Sequence, residues 1–169
     1  MNTALLIIDV QKSLVEEGIW NAERIIVRLN RLISLARNKQ APVVFIKDTR
    51  VGPDGSLHPL LDYERNDLEI KKNFCDAFMK TQLDNLLRNN NINKLVIGGL
   101  QSDFCVDTTC RQAATLGYDV LLVADAHSTL DHEFLKAKQI IAHHNRILRN
   151  FNSSSGRVRV IDTANINFR

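Results

Sequence analysis

The chain has 169 residues, of which 44% are hydrophobic and 24% are charged, and these proportions are typical of one soluble globular domain, which we place at residues 1–169. The formal net charge of +3 is modest, and the basic residues are scattered without a Lys or Arg block. A nucleic-acid partner and a membrane partner are therefore not expected.

The N-terminal residues and the cysteines indicate a cytoplasmic protein. The sequence MNTALLIIDVQ lacks the basic region of a signal peptide, and no stretch approaches the roughly 20 apolar residues that cross a bilayer. Three cysteines cannot all pair within one chain, and a protein of the cytoplasm keeps its thiols reduced. We therefore expect free thiols that are available for chemistry.

Short runs rich in Val, Ile and Leu predict the strands. In chain order they are 3–10, 41–48, 68–72, 94–100, 119–125 and 157–162. Four of them are almost continuously apolar, as in parallel strands that are covered on both faces, whereas 68–72 is a weaker strand.

Segments with helical period lie between these strands. Four helices are predicted, and their apolar positions are Ile25, Leu29, Leu32, Ile33 and Ala36; Phe78, Leu83, Leu86 and Leu87; Val106, Ala113, Ala114 and Leu116; and Leu135, Ile140, Ile141, Ile147 and Leu148. The fourth is expected to begin at Asp131 or His132. The alternation predicts a three-layer, Rossmann-like α/β domain with a mostly parallel sheet of about six strands. The long irregular segment 49–67 is assigned to the rim of a site or to a subunit contact.

Three chemically capable side chains end or follow predicted strands. Asp9 ends the first strand, Lys72 ends the third, and Cys105 follows the fourth by five residues. Because the carboxyl ends of parallel strands meet at one edge of the sheet, we expect these side chains to converge. A nearby ammonium and a helix start both favour the thiolate of Cys105, which is the nucleophilic form.

Each of these residues also has a structural interpretation. Cys105 could be a small buried hydrophobe, because free cysteines are among the most buried residues. Asp9 could cap a loop, and Lys72 could belong to a solvated strand end together with Lys71. The sequence pattern alone leaves these alternatives open.

Three separated motifs favour the catalytic interpretation of these residues over the structural one. LLIIDVQ contains an Asp-x-Gln at Asp9 and Gln11, and KKNFCDAF contains a Lys-x-x-x-x-Ala-Phe that starts at Lys72. The segment 98–129 contains a strand, a Gly-x-x-Ser-Asp-x-Cys-Val turn around Cys105, a helix and a second strand that ends in Asp-Ala. From about residue 4 to residue 148 the chain resembles the isochorismatase-like superfamily, in its cysteine hydrolase (amidohydrolase) branch.

The resemblance implies a mechanism. Cys105 attacks a substrate carbonyl, Asp9 takes the thiol proton, and Lys72 holds and polarises the pair. The bond between Leu100 and Gln101 is expected to be cis, and the backbone N–H groups of Gln101 and Cys105 are expected to form an oxyanion hole. A small amide then loses ammonia or an amine and leaves a thioester for water to hydrolyse, without a cofactor. The resemblance also implies a homo-oligomer, either a dimer or a tetramer.

Departures from the family pattern reduce the number of activities that the resemblance implies. Nicotinamidases place an Asp-x-His and a further His after the second strand to bind a divalent metal, whereas this chain has Asp48, Thr49 and Arg50 there. We therefore expect no metal and consider nicotinamide a less favoured substrate. Members that hydrolyse isochorismate do not use a cysteine at this position, so Cys105 argues against that reaction. The segment 125–145 resembles a metal-free subgroup of general amide hydrolases that includes streptothricin hydrolase-like proteins.

Other residues are candidates for the pocket around the thiol. The proposed substrate-contacting residues are Gln11, Trp20, Phe74, Phe78 and Phe104, and for the aromatic ones core packing is the alternative. Cys75 could reach the pocket, and His127 could line it, although a hydrogen-bonding role is favoured for that histidine. Cys110 is expected to be structural because it does not share a helix face with Cys105.

Two further functions remain as alternatives to a metal-independent amidohydrolase. One is a metal-dependent amidase of the nicotinamidase type, which would lose activity with a chelator. The other is a non-catalytic Rossmann-like binding protein in which Cys105 senses redox state, and which would still bind its ligand after Cys105→Ala.

Overall fold

The computed structural model of the protein describes residues 2–168. Strands and helices alternate along most of this range, except that the third strand follows the second without a helix between them. A π-helical turn at Ser102–Val106, here called the cysteine turn, precedes the fourth helix. The strands are β1 (Asn2–Ile8), β2 (Val43–Asp48), β3 (Leu68–Lys72), β4 (Ile92–Leu100), β5 (Asp119–Ser128) and β6 (Arg157–Ile161). The helices are α1 (Lys12–Glu16), α2 (Ala22–Asn38), α3 (Leu83–Asn89), α4 (Asp107–Thr115) and α5 (Ala137–Leu148).

The six strands form one sheet in the order β3-β2-β1-β4-β5-β6, and every neighbouring pair is parallel. This arrangement confirms the predicted α/β fold class. The chain leaves β1 toward β2 on one side of the sheet, and later returns to place β4 on the other side of β1. The crevice between β1 and β4 is therefore a topological switch point, where open α/β sheets bind ligands.

Both faces of the sheet are covered by apolar side chains. Along β1, Ala4, Leu6 and Ile8 belong to one buried cluster, whereas Leu5 and Ile7 belong to a second cluster. The first cluster contains residues of α3 and α4, and the second contains the apolar face of α2. Because successive side chains of a strand point to opposite faces, a continuously apolar strand is buried on both sides.

The helices differ from prediction at their ends. The fourth predicted helix, which is α5 in the structure, begins at Ala137 rather than at Asp131 or His132, and the carboxylate of Asp131 accepts a hydrogen bond from the backbone N–H of Ala137, 2.9 Å away. Phe78 lies outside α3 and stacks on Tyr118, and the short helix α1 was not predicted. Within residues 2–168, every helix is too short or too polar to cross a membrane.

Gly99 allows β4 to approach β1 closely. Its φ of +125° is unfavourable for other residues, and a Cβ atom there would collide with the backbone of Ile8. Ile8 and Gly99 are paired across the two strands that precede Asp9 and the cysteine turn. The glycine is thus required for the packing of the two strands that carry the site.

Replacement of Gly99 by alanine is expected to lower the free energy of unfolding by about 3 kcal/mol or more, because backbone strain and overpacking add. Gly18→Ala is the matched control: its φ is +104°, but no atom lies within 4 Å of the added Cβ, so only strain of about 1–2 kcal/mol is expected. Urea denaturation of both variants measures the difference, and equal losses would contradict the steric explanation.

Candidate active site

Four adjacent strands supply the chemically active side chains. Lys72 ends β3, Asp48 ends β2, Asp9 follows β1, and Cys105 lies in the turn after β4. Asp9 itself has a left-handed backbone with φ of 49°, a conformation that is uncommon outside glycine and is found at functional sites. The predicted convergence of Asp9, Lys72 and Cys105 at one edge is therefore present in the structure.

The ammonium of Lys72 lies at the centre of this cluster. Its Nζ is 2.6 Å from Oδ2 of Asp9, 2.9 Å from Oδ2 of Asp48 and 3.2 Å from Sγ of Cys105. All four residues are less than one-tenth exposed. Because charges are poorly solvated in such a place, the two carboxylates and the ammonium depend on one another for stabilisation.

Asp48 is a member of the cluster that the sequence reasoning did not assign. Arg50 also binds it, with Nε 2.9 Å from Oδ1 and Nη2 on Oδ2, the oxygen that Lys72 contacts. Gln11 fixes the same strand end, because its amide accepts from the backbone N–H of Asp48 and donates to the Asp48 carbonyl. The position of Asp48 at the end of a strand, like those of Asp9 and Lys72, was the signal that could have identified it.

Cys105 is buried, and its surroundings disfavour the thiolate. Burial raises its pKa, and the neighbouring Asp9 carboxylate raises it further, although the Lys72 ammonium acts in the opposite direction. The Lys72 ammonium does favour the thiolate, as expected, but the net shift of the Cys105 pKa is upward. Loss of hydration and the Asp9 carboxylate outweigh the single nearby ammonium.

The acid and base partners are tuned by the same environment. Burial raises the pKa of Asp9 to about 6, even though the charge of Lys72 lowers it. Burial alone would lower the pKa of Lys72, but Asp9, Cys105 and Asp48 together keep it above its ordinary value. Despite burial, the hydrogen bonds from Arg50 and Lys72 hold the pKa of Asp48 below its usual range. At neutral pH the cluster thus holds two carboxylates, one ammonium and one thiol.

The cysteine turn joins β4 through the peptide bond between Leu100 and Gln101, which is cis as the resemblance implied. The carbonyl of Gln101 accepts hydrogen bonds from the backbone N–H groups of Phe104 and Val106. Cys105 is thereby held in a tight turn at the edge of the sheet, beside Asp9.

A cavity of about 460 Å³ opens over the thiol. Its lining residues lie just after β1, in and just after α1, at the end of β2 and in the segment after it, in the segment after β3, and in or just before the cysteine turn. They are Asp9, Leu14, Glu17, Asp48, Arg50, Val51, Gly52, Cys75, Gln101, Phe104 and Cys105. The start of the irregular segment 49–67 therefore forms part of the rim, and Cys75 reaches the cavity. The volume suits a small molecule.

Only Phe104 among the proposed substrate-contacting residues lines this cavity. Gln11 is buried beneath it and braces Asp48, and Phe78 belongs to the core. Trp20 lines a different cavity beside α5, and the half-exposed Phe74 contacts Lys80. His127 lines that second cavity as well, not the one over the thiol, and its ring is hydrogen-bonded to Ser102 and Asn145. Aromatic character did not predict these positions, because it indicates core packing as readily as a pocket wall.

The cluster is a poor fit for a metal ion. Asp9, Asp48 and Cys105 place ligand atoms within 4.8 Å of one another, as a cation site requires. However, the ammonium of Lys72 contacts all three residues, and Arg50 binds both oxygens of Asp48. A divalent cation would have to compete with two positive charges that the chain supplies itself.

Sequence comparisons identify the relatives of this chain. The family model for the isochorismatase domain matches residues 3–144. The chain is 31% identical over 134 residues to the uncharacterized isochorismatase family protein YrdC of Bacillus subtilis, covering 73% of this chain and 72% of that protein. It is 32% identical over 138 residues to a streptothricin hydrolase of Streptomyces noursei, covering 76% of this chain and 55% of that protein. The chain thus spans about half the length of the streptothricin hydrolases it matches.

A third relative is named a probable inactive nicotinamidase of Arabidopsis thaliana, with 29% identity over 156 residues that cover 74% of this chain and 80% of that protein. Among solved structures, an isochorismatase family protein superposes with a TM-score of 0.88 and 32% identity, covering 95% of this chain and 98% of that chain. An isochorismatase of Pseudomonas putida superposes with a TM-score of 0.86 and 25% identity, over 98% and 90% of the two chains. The fold, the matched domain and the relatives agree, and the chain belongs to the isochorismatase family of hydrolases.

Proposed function

We propose that this protein is a cysteine hydrolase that cleaves a small amide without a metal ion, through a thioester on Cys105. The observation that carries the proposal is the buried Lys72 ammonium, which lies within 3.2 Å of both the Cys105 thiol and the Asp9 carboxylate. A nucleophile, a base and the group that orients them are the parts that covalent acyl transfer requires.

The first step is a proton transfer that accompanies attack. Because burial disfavours a free thiolate, the thiol proton moves to Asp9 as the sulfur bonds to the substrate carbonyl carbon. A carboxyl group with a pKa of about 6 is poised for this exchange near neutral pH. The Lys72 ammonium stays between the two groups and stabilises the negative charge wherever it resides.

The carbonyl oxygen becomes an oxyanion as the S–C bond forms. We assign the backbone N–H groups of Gln101 and Cys105 as its donors, each worth roughly 3 kcal/mol in sites of this kind. Collapse of the adduct breaks the C–N bond, and the proton held by Asp9 passes to the departing amine. Water then attacks the thioester, with Asp9 as base, and releases the carboxylic acid and the free thiol.

The structure also bears on the two alternative functions. A metal-dependent amidase of the nicotinamidase type needs carboxylate ligands that are free, whereas Asp48 is bound by Lys72 and Arg50. A redox-sensing thiol needs exposure and a low pKa, whereas Cys105 is buried and its pKa is raised. Both observations favour the metal-independent hydrolase.

The decisive experiment is a panel of small aliphatic and aromatic amides scored for ammonia release. We expect the wild-type protein to release ammonia from at least one member, and to retain this activity after treatment with EDTA. Acid quenching followed by mass spectrometry should show the acyl group attached to Cys105. Activity that disappears with EDTA and returns with a divalent cation would support the metal-dependent alternative instead.

The pH dependence gives a separate test of the base. Asp9 acts only when ionised, so kcat/KM is expected to rise about tenfold per pH unit below pH 6 and to level off above it. The measurement is kcat/KM between pH 4.5 and 9 on the best amide of the panel. A midpoint near pH 8.5, the ordinary pKa of a cysteine, would instead show that ionisation of the free thiol limits the reaction.

A further inference from the structure

A buried polar network lies directly behind the cysteine turn. The hydroxyl of Ser102, the first residue of that turn, is 2.7 Å from Nδ1 of His127 on β5. The other ring nitrogen, Nε2, is 3.0 Å from the side-chain oxygen of Asn145 on α5. Ser102 and His127 are both almost completely buried, and neither has a role in the mechanism described above.

The contact between Asn145 and a backbone carbonyl fixes which atom is donor and which is acceptor in every hydrogen bond of this network. The side-chain nitrogen of Asn145 donates to the carbonyl of Ala124, 2.9 Å away, so the side-chain oxygen of Asn145 faces the histidine. An oxygen of this kind only accepts, and Nε2 of His127 must therefore carry the hydrogen. Burial lowers the pKa of His127 to about 4, which keeps the ring neutral at working pH. Nδ1 is consequently an acceptor, and the hydroxyl of Ser102 donates to it.

Ser102 connects this network to the reacting groups. It directly follows Gln101, whose N–H is assigned to the oxyanion hole, and it precedes Cys105 by three residues in the same tight turn. The next residue, Asp103, is held from outside the turn by the hydroxyl of Thr129 at 2.6 Å. His127 also pairs with Gly99 in the sheet, beside the point where β4 runs into the turn.

We infer that His127 is a positioning residue that holds the cysteine turn in place through the hydroxyl of Ser102. In this position the Gln101 N–H and the Cys105 sulfur can both reach the same substrate carbonyl group. Asn145 supports this role by holding the imidazole in the tautomer that accepts from Ser102. The inference rests on the proposed function, because it assumes that a carbonyl is attacked. Small displacements of reacting groups are costly, since about 1 Å of misplacement can lower a rate on the order of 100-fold.

The main test compares two substitutions of Ser102. Ser102→Ala removes the donor and is expected to lower kcat roughly 10- to 100-fold with KM changed less than about twofold. Ser102→Thr keeps a hydroxyl and is expected to keep kcat within about threefold of wild type. Wild-type kcat in Ser102→Ala, or equal losses in both variants, would overturn the inference.

A second variant acts at a distance from the turn. Asn145→Ala removes the acceptor that keeps the proton on Nε2 of His127, and it is expected to lower kcat about 5- to 10-fold. In ¹⁵N NMR spectra the ring is then expected to populate both neutral tautomers. His144→Ala is the matched control on the same helix. That ring hydrogen-bonds the carbonyl of Ile140 on its own helix, not the Ser102–His127 pair, and its loss should leave kcat unchanged. A loss of kcat in His144→Ala as large as that in Asn145→Ala would overturn the inference.

Two thiol probes separate this inference from the proposed function. Benzaldehyde adds to the thiol, forming an S–C bond while the carbonyl becomes a hydroxyl that takes the thiol proton, and the oxygen of this adduct is stabilised when it accepts from the oxyanion donors. Iodoacetamide alkylates the sulfur by displacing iodide, with the thiol proton released to solvent, and needs no such donor. In Ser102→Ala the dissociation constant of the benzaldehyde adduct is expected to rise about tenfold, with the alkylation rate within about threefold of wild type.

These probes give a result even if no amide is hydrolysed. Failure of the whole amide panel together with the expected benzaldehyde result would refute the proposed function and leave the positioning role supported. Equal benzaldehyde affinity in wild type and Ser102→Ala would overturn the positioning role. The absence of any adduct in a wild-type protein that iodoacetamide alkylates would also overturn it, because the turn would then not aim its donors and its sulfur at one carbonyl.

Discussion

Replacement of Cys105 by serine is expected to lower kcat/KM by at least about 10³-fold while leaving the stability of the fold nearly unchanged. The hydroxyl of a serine gives up its proton far less readily than a thiol does. Asp9, with a pKa of about 6, is a strong enough base for a thiol in concert with attack, but too weak for a hydroxyl. The measurement is ammonia release from the best amide, together with urea denaturation.

Cys110→Ala is the matched control for this prediction. Cys110 lies five residues further along the chain, is completely buried and belongs to the core cluster on the same face of the sheet. Its truncation should cost about 1 kcal/mol of stability and leave kcat within about twofold of wild type. Ammonia release by Cys105→Ser at the wild-type rate would refute the role of the thiol, whatever the control shows.

Replacement of Lys72 by methionine is expected to lower the free energy of unfolding by about 3–5 kcal/mol at pH 8. Methionine fills much of the same volume, so the decrease in the free energy of unfolding reflects the missing charge and not a cavity. Without the ammonium, the carboxylate of Asp9 remains buried without its cationic partner, while Asp48 keeps Arg50. Urea denaturation at pH 8 measures the effect, and catalysis should be lost as well.

The same variant should be less impaired at pH 5. Removal of Lys72 raises the pKa of Asp9 further, because the charge of Lys72 is what opposes the effect of burial. The folded variant then binds a proton that the unfolded chain releases above about pH 4, so its stability falls as the pH rises through the raised pKa of Asp9. Measuring the stability difference from wild type at both pH values tests this sign directly.

Lys47→Met on the neighbouring strand is the control for Lys72→Met. Lys47 pairs with Glu69 at 3.6 Å, and both side chains are partly exposed to solvent. Surface pairs of this kind contribute less than about 1 kcal/mol, so the control should lose little stability at either pH. Equal losses in the two lysine variants, or a Lys72→Met loss as large at pH 5 as at pH 8, would contradict the proposed electrostatics.

The sequence by itself determined the fold class and three of the four residues that form the charged cluster. Apolar runs such as 41–48 and 94–100 are continuous because parallel strands are buried on both faces, so the pattern predicts both the strands and their environment. Asp9, Lys72 and Cys105 could be grouped because carboxyl ends of parallel strands share one edge, and this topological rule needs no coordinates. The cis bond at Leu100–Gln101 followed from the resemblance around Cys105.

Only the tertiary structure decided the charge state of the thiol, the second partner of Lys72 and the walls of the cavity. Local rules place Cys105 near a helix start and an ammonium, but its pKa depends on how much water the folded chain excludes. The role of Asp48 depends on the side-by-side pairing of β2 and β3, which brings it opposite Lys72. Cavity walls depend on where loops pass in space, and for that reason Trp20 and Phe78 lie outside the cavity over the thiol, whereas Arg50 lines it. Hydrogen bonding and burial between distant segments are properties of the folded chain, and periodicity along the sequence does not carry them.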